Sequence, residues 1–305
     1  MRLRVLRKFD PWGSPLCTCP PKYSLQPYTG CSHMCLYCYA TSYIGRKPSK
    51  PKKDFIKNLA LDLLKADPSL PISMSNSSDP YPPEESRLLL TREAIKVIAR
   101  HGFKLLVVTK GSLVARDADL LSRMRAAVTI TITTMDSGLA SIIEPGAPPP
   151  RQRVEAIKTL IKAGVPTGIR LDPVIPWLND DEHQIKEVLE TVNSLGVKFV
   201  VTSTFKARPD SLKRMCNAFP DMCRKWEQLY RVEGTWIHGY WYAPVNVRKN
   251  LLRKVVEIAR KLGMEYATCR EGFRGREWFT AKTCDGTHLI GRSINELANK
   301  SYFKD

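Results

Sequence analysis

The sequence predicts an α/β chain, an open, partial (β/α)6 TIM-type barrel with an α+β C-terminal extension. Three observations lead there. Six short β-rich runs each precede a helical period. Several of those periods stop at a glycine, at Gly102, Gly164 and Gly196, as helix C-termini do. Repeated strand–helix units pair in parallel through right-handed crossovers, and six of them are too few to close a barrel of eight strands.

The runs follow in order. Residues 23–29 (YSLQPYT) and 71–77 (PISMSNS) open the series, with a helical period near 54–65 between them. Residues 104–110 (KLLVVTK), 127–134 (AVTITITT), 168–175 (GIRLDPVI) and 199–205 (FVVTSTF) continue it. Their Val, Ile and Thr content suits strands buried on both faces. Helical periods near 91–101, 116–125, 151–163 and 182–195 separate them, and the proline clusters at 21–27 and 146–152 read as loops. Beyond 206 a helical stretch runs to about 231, then an aromatic segment at 235–244, a helix at 247–262 and a Gly/Arg-rich tail. The expected organisation is a basic extension (1–22), the partial barrel (23–205) and a basic, aromatic extension (206–305).

The 305 residues carry a net charge of +18. The excess is segregated: +9 in residues 1–60, zero in 61–205 and +9 in 206–305. A surplus placed at both ends of a neutral barrel points to a polyanion, nucleic acid before a membrane surface. No run of apolar residues is long enough to span a bilayer, and the first residues lack the apolar core of a secretory leader. The expectation is a cytoplasmic chain with no membrane partner.

Nine cysteines, an odd number, argue against a disulfide framework. Cys31, Cys35 and Cys38 form a C-x3-C-x2-C run just after Gly30. Three thiolates on one loop can hold a [4Fe–4S] cube and leave its fourth iron open to another ligand. A zinc site with His33 or another cysteine as fourth ligand is the competing reading, weakened by the lack of a second C-x2-C knuckle. The strand ends, where α/β folds bind ligands, offer Ser75, Asn76, Ser77, Ser78 and Asp79, then Lys110, Thr133 and Arg170.

The segment SLQPYTGCSHMCLYCYATSY resembles radical S-adenosylmethionine (radical SAM) enzymes of the spore photoproduct lyase-like, or DNA repair photolyase-like, family. The resemblance continues in order through SNSSDPYPPE, VVTKGSLVARDADLL, the run from Ile132 to Val165, RLDPVIPWLND and YATCREGF, and so spans roughly 22–275. It implies a [4Fe–4S] cluster on Cys31, Cys35 and Cys38, with S-adenosylmethionine on the open iron. It also implies reductive cleavage of that cofactor to a 5′-deoxyadenosyl radical, which takes hydrogen from a substrate. Lys110 would meet the carboxylate of S-adenosylmethionine, and residues 75–79 its amino group. Tyr39 would lie near the adenine and Tyr37 near the radical path. An electron donor such as a ferredoxin or flavodoxin is implied as well. Spore photoproduct lyase aligns a hydrogen-donating cysteine with Asn76, so the resemblance carries the reaction class and not the particular lesion.

Four further cysteines sit in two stretches. Cys17 and Cys19 share one face of an extended segment, and Cys269 and Cys284 lie in the tail. Together they form a candidate auxiliary site for a second iron–sulfur cluster or zinc. Cys216 and Cys223, seven apart on the expected helix, read as core residues. Trp226, Trp236, Tyr240, Trp241, Phe273 and Trp278 are interleaved with Arg248, Arg270 and Arg274, as stacking platforms for DNA or RNA bases are; packing of the extension onto the barrel accounts for at least half of them. The leading expectation is a radical enzyme that repairs or modifies nucleic acid. A radical enzyme for a peptide or small metabolite, and a noncatalytic, metal-stapled nucleic-acid-binding protein, are the alternatives.

Overall fold

A computed structural model describes residues 3–9, 14–74 and 77–291. Eight strands make one sheet: β1 (Arg7–Lys8), β2 (Tyr23–Leu25), β3 (Ile72–Met74), β4 (Leu105–Thr109), β5 (Ala126–Thr131), β6 (Thr167–Val174), β7 (Phe199–Thr204) and β8 (Glu265–Thr268). They are hydrogen-bonded in sequence order. From β2 to β8 every neighbouring pair is parallel, and β1 is antiparallel at the β2 edge. This is the open, partial barrel, with one more parallel strand than the six runs predicted. β8 comes from the segment beyond 205, which joins the same sheet by pairing Glu265 with Phe199 and Thr268 with Thr202.

Every residue of β5 and β7 is buried, and the alternation along the strands decides what covers each face. Leu105, Val107, Val128 and Ile130 turn to the outer helices and share a core with their apolar stripes. One such helix, Glu182–Ser194, buries Ile185, Val188, Leu189 and Val192, and the Asp181 side chain caps its start by accepting from the His183 and Gln184 amides. That is the i, i+3, i+4, i+7 stripe of a helix laid on a sheet. Leu106, Ala127, Phe199 and Val201 turn inward instead, onto Ala281, Cys284 and Leu289. The tail therefore fills the lower part of the barrel. Gly286, in the left-handed region at φ 96°, makes this fit, since a Cβ there would stand 2.7 Å from Thr129.

Three local expectations change. The first run is split at Gln26–Pro27: Tyr23–Leu25 joins the sheet, while Tyr28–Thr29 pairs with Lys50–Pro51. The helical stretch after 206 is broken by Pro220 into Pro209–Ala218 and Pro220–Glu227, because proline cannot continue a helix. The break folds Cys216 back onto Cys223, and the pair forms a disulfide instead of two separate core thiols. The aromatic segment is a hairpin, Thr235–Ile237 against Tyr240–Tyr242. Among the described residues, no helix is long and apolar enough to cross a membrane.

Candidate functional site

The cysteine loop follows Tyr28–Thr29 and is pinned from three sides. Gly30, at φ 72°, lets it turn: a Cβ there would meet the Pro48 carbonyl at 2.3 Å. On one side, the Cys31 amide donates to the Lys47 carbonyl. On the second, the Leu36 amide donates to Ile143 and the Gly146 amide to His33. Gly146 lies so close that a Cβ would stand 1.9 Å from the Ser32 carbonyl. On the third side, Arg214 donates to the carbonyls of Leu36 and Cys38, each at 2.9 Å.

Cys31, Cys35 and Cys38 then line one cavity of about 260 Å³ at the upper end of the barrel. Tyr37, Tyr39, Ser77, Ser78, Asp79, Lys110 and Arg170 line it as well. Thr133 does not: its hydroxyl donates to Glu144 at 3.0 Å, turning the side chain toward the packing beneath the loop. Ser75 and Asn76 lie outside the described residues. The cavity also takes in Cys17, Cys19 and Cys269.

Individual side chains hold distinct positions. Asp79 is saturated by the protein: it accepts from the Thr109 hydroxyl at 2.5 Å and from the amides of Tyr81 and Lys110, and faces His33 Nδ1 at 3.3 Å. Burial would raise its carboxyl, yet His33 and these hydrogen bonds bring it down to about 2. Asp79 is thus an anionic strut, with no oxygen left over for a ribose. Ser78 likewise spends its hydroxyl on the Tyr28 carbonyl. Lys110 stands over the Tyr37 ring at 5.4 Å and faces Cys35 and Glu144. Burial opposes its charge, and the attraction of Cys35 and the Glu144 carboxylate more than offsets that. Arg170 pairs with Asp172 at 2.8 Å. Tyr39 meets Tyr240 edge-on at 5.9 Å, and the Arg270 guanidinium covers both rings.

Sequence reasoning missed the support beneath the loop. Glu144 accepts from Tyr37 and Thr133 and pairs with Arg153. Burial pushes its carboxyl up, but Arg153 and Lys110 outweigh that and hold it below the ordinary range. The one signal was a glutamate before Pro145-Gly146 in the run from Ile132 to Val165. Glu271, in the CREGF run, is a second such hub, bound by Lys206, Arg248 and the Thr204 amide. Most of the tail's aromatics proved to be packing: Trp226, Tyr240, Tyr242 and Trp278 are buried, and Trp236 is half exposed.

The donor set suits an iron–sulfur cluster. Three soft thiols share one wall; burial pushes Cys31 up to about 11 and Cys35 higher, so a metal must displace their protons. His33 is engaged through Nδ1 with Asp79, while its Nε2 is buried with no hydrogen-bond partner among the described residues. Such an orphaned donor or acceptor fits a group held between the three sulfurs and the cavity.

Residues 25–192 match the radical SAM superfamily. The chain belongs to that superfamily of enzymes. It is 33% identical over 192 residues to an uncharacterised protein of Methanocaldococcus jannaschii, covering 59% of this chain and 70% of that one. A radical SAM Nα-GlyT isomerase of Pseudomonas phage M6 is 25% identical over 87% of this chain and 59% of its own. Among solved structures, a spore photoproduct lyase variant with bound AdoMet and dinucleoside spore photoproduct superposes with a TM-score of 0.67. It is 16% identical, over 91% of this chain and 80% of that one, a likeness of fold. Radical SAM enzymes use a [4Fe–4S] cluster and S-adenosylmethionine, and Cys31, Cys35 and Cys38 are the thiols placed to hold the cluster here.

Proposed function

We propose that this radical SAM enzyme acts on nucleic acid, repairing or modifying a base or sugar brought into the cavity. The observation that carries the reading is convergence. The cluster cysteines, the Lys110 ammonium, the Tyr39 ring and the Arg270 guanidinium all meet in one cavity at the end of a strand barrel. When bound, the cluster and S-adenosylmethionine supply the 5′-deoxyadenosyl radical that abstracts hydrogen; the chain's part is binding, orientation and exclusion of water.

Lys110 offers a buried positive charge to a carboxylate, and Ser77 and Ser78 line the same cavity as partners for an amino group. Tyr39 gives an adenine-sized face. The Arg270 guanidinium lies over that ring, backed by the buried Tyr240, and offers a planar surface of the kind that stacks on a splayed base. The two basic segments flanking a neutral barrel supply phosphate contacts. The kinship in fold with a lyase solved with bound dinucleoside spore photoproduct favours the same substrate class.

The test is direct. Anaerobically reconstituted, reduced protein is given S-adenosylmethionine with and without DNA or RNA, and 5′-deoxyadenosine is measured. The expected result is cleavage that nucleic acid stimulates, with deuterium passing between substrate and deoxyadenosine. Cleavage indifferent to DNA and RNA but stimulated by a peptide would overturn the substrate assignment. Absence of 5′-deoxyadenosine under every condition would overturn the activity as well.

A further inference from the structure

The four cysteines outside the cluster loop come together in space. Cys19 Sγ stands 3.4 Å from Cys284 Sγ. Cys17 neighbours Cys19, and Cys269 neighbours Cys284. The thiols therefore follow one another in the order Cys17, Cys19, Cys284, Cys269, drawn from stretches 265 residues apart at the central pair. The fold makes this meeting. The C-x-C pair lies just before β2, Cys269 just after β8, and Cys284 in the tail that fills the barrel.

Four neutral thiols are poor hydrogen-bonding partners for one another, and nothing in ordinary core packing requires them to converge. The setting is also charged: Lys22 faces Cys19 and Cys284, and Arg170 faces Cys269 and Cys284. Buried cations beside sulfur suit thiolates.

We propose that Cys17, Cys19, Cys269 and Cys284 bind one zinc ion as a closed tetrathiolate. The central contact favours a single ion over a second cluster. Sulfurs at about 2.3 Å from a tetrahedral zinc stand about 3.8 Å apart, close to the 3.4 Å between Cys19 and Cys284, whereas thiolates that each hold a different iron of a cube do not touch. No three of the four sulfurs lie within 4.8 Å of one another, so binding must draw Cys17 and Cys269 in onto that central pair. A site with four protein ligands has no open position, so its role is structural: it ties the segment before β2 to the tail, beside the Lys22–Asp285 ion pair. The location adds a chemical reason, which rests on the radical reading above. Cys17, Cys19 and Cys269 line the cavity shared with the cluster loop. A zinc-bound thiolate has given up the S–H hydrogen that a carbon radical formed there would take.

The experiment is elemental analysis of full-length protein purified without oxygen, independent of any turnover. The expected content is about one zinc and about four irons per chain. Cys19→Ser with Cys284→Ser should lose the zinc and keep the iron. Cys31→Ser with Cys35→Ser and Cys38→Ser should do the reverse. Growth with cobalt should give the strong sulfur-to-metal absorption of a tetrathiolate, which reads the site in wild type even if the serine variants fail to fold. About four irons without zinc, about eight irons without zinc, or zinc that departs with the cluster-loop cysteines would each overturn the proposal. The radical reading would survive any of these provided 5′-deoxyadenosine still forms.

Discussion

Arg153 Nη2 and Glu144 Oε2 meet at 2.5 Å under the cysteine loop, with side chains 1% and 0% exposed. Neither group belongs to a strand. The pair joins the first turn of the helix Pro150–Lys162 to the residue that ends Ser137–Ile143, and the Ile143 carbonyl in turn anchors Leu36. Removing one partner strands the other charge where water cannot reach it. Arg153→Met should therefore cost about 3–5 kcal/mol in chemical unfolding. The double variant with Glu144→Gln should recover part of that loss. A double variant that costs the sum of the two single losses would show that the pair is not coupled.

Gly146→Ala should act on the loop itself. The new Cβ would press on the Ser32 carbonyl, which is backbone and cannot swing aside. The expected outcome is a folded protein, by circular dichroism, that retains less than about half of the wild-type cluster iron. Gly164→Ala is the control: its Cβ meets nothing within 4 Å, though the φ of 81° costs about 1 kcal/mol. Its iron content should match wild type.

Lys110→Met removes one of the ammonium groups that line the cavity, beside Lys22 and Lys206, while keeping most of its volume. Binding of S-adenosylmethionine to the loaded protein should weaken by about tenfold or more, the range of one charge-assisted contact. Lys110→Arg should recover part of the affinity. Iron content should be unchanged in both, and equilibrium dialysis with labelled cofactor reads the result.

The Lys22–Asp285 pair predicts a pH dependence. Burial raises the Asp285 carboxyl, and Lys22 with Thr287 brings it down to about 2 against an ordinary 3.8. A depressed carboxylate stabilises the fold fully above its unfolded value, and that stability is lost as pH falls from about 4 to about 2. Wild type should lose about 2 kcal/mol over that window from this group. Asp285→Asn should be less stable near neutrality and show a flatter acid limb. Parallel curves for the two proteins would refute the assignment.

Nucleic-acid binding should be steeply salt-dependent, falling by about a hundredfold or more between about 50 and about 200 mM salt. Charge-reversal at Lys52 and Lys53, in the basic stretch beside the loop, should lower the slope. Binding unchanged across that range would remove phosphate contacts from the account.

The barrel was legible because strands buried on both faces announce themselves: AVTITITT and FVVTSTF admit few other readings. Cys31, Cys35 and Cys38 were legible for a similar reason, since ligands on one loop keep their spacing in the sequence. β8 was not, because Glu265–Thr268 is a short run whose partner lies 66 residues earlier. Glu144 and Arg153 were hidden differently. A buried ion pair looks, in sequence, like two surface charges on neighbouring helices. Asp79 shows the reverse, since an acid at a strand end invites a ligand-binding role, and only the structure shows its oxygens already taken. Pro220 did signal the helix break, but the turn that brings Cys216 back to Cys223 depends on packing.

The tail that fills the barrel has a consequence for the order of events in the cell. Synthesis proceeds from residue 1, so the cysteine loop and seven of the eight strands leave the ribosome before Glu265–Leu289 has been made. Until then the inner faces of Leu106, Ala127 and Phe199 have no cover, and the cavity has neither its floor nor its Arg270 wall. A cluster delivered at that stage meets an open half-shell. One delivered later must enter a chamber whose last wall has already been set in place.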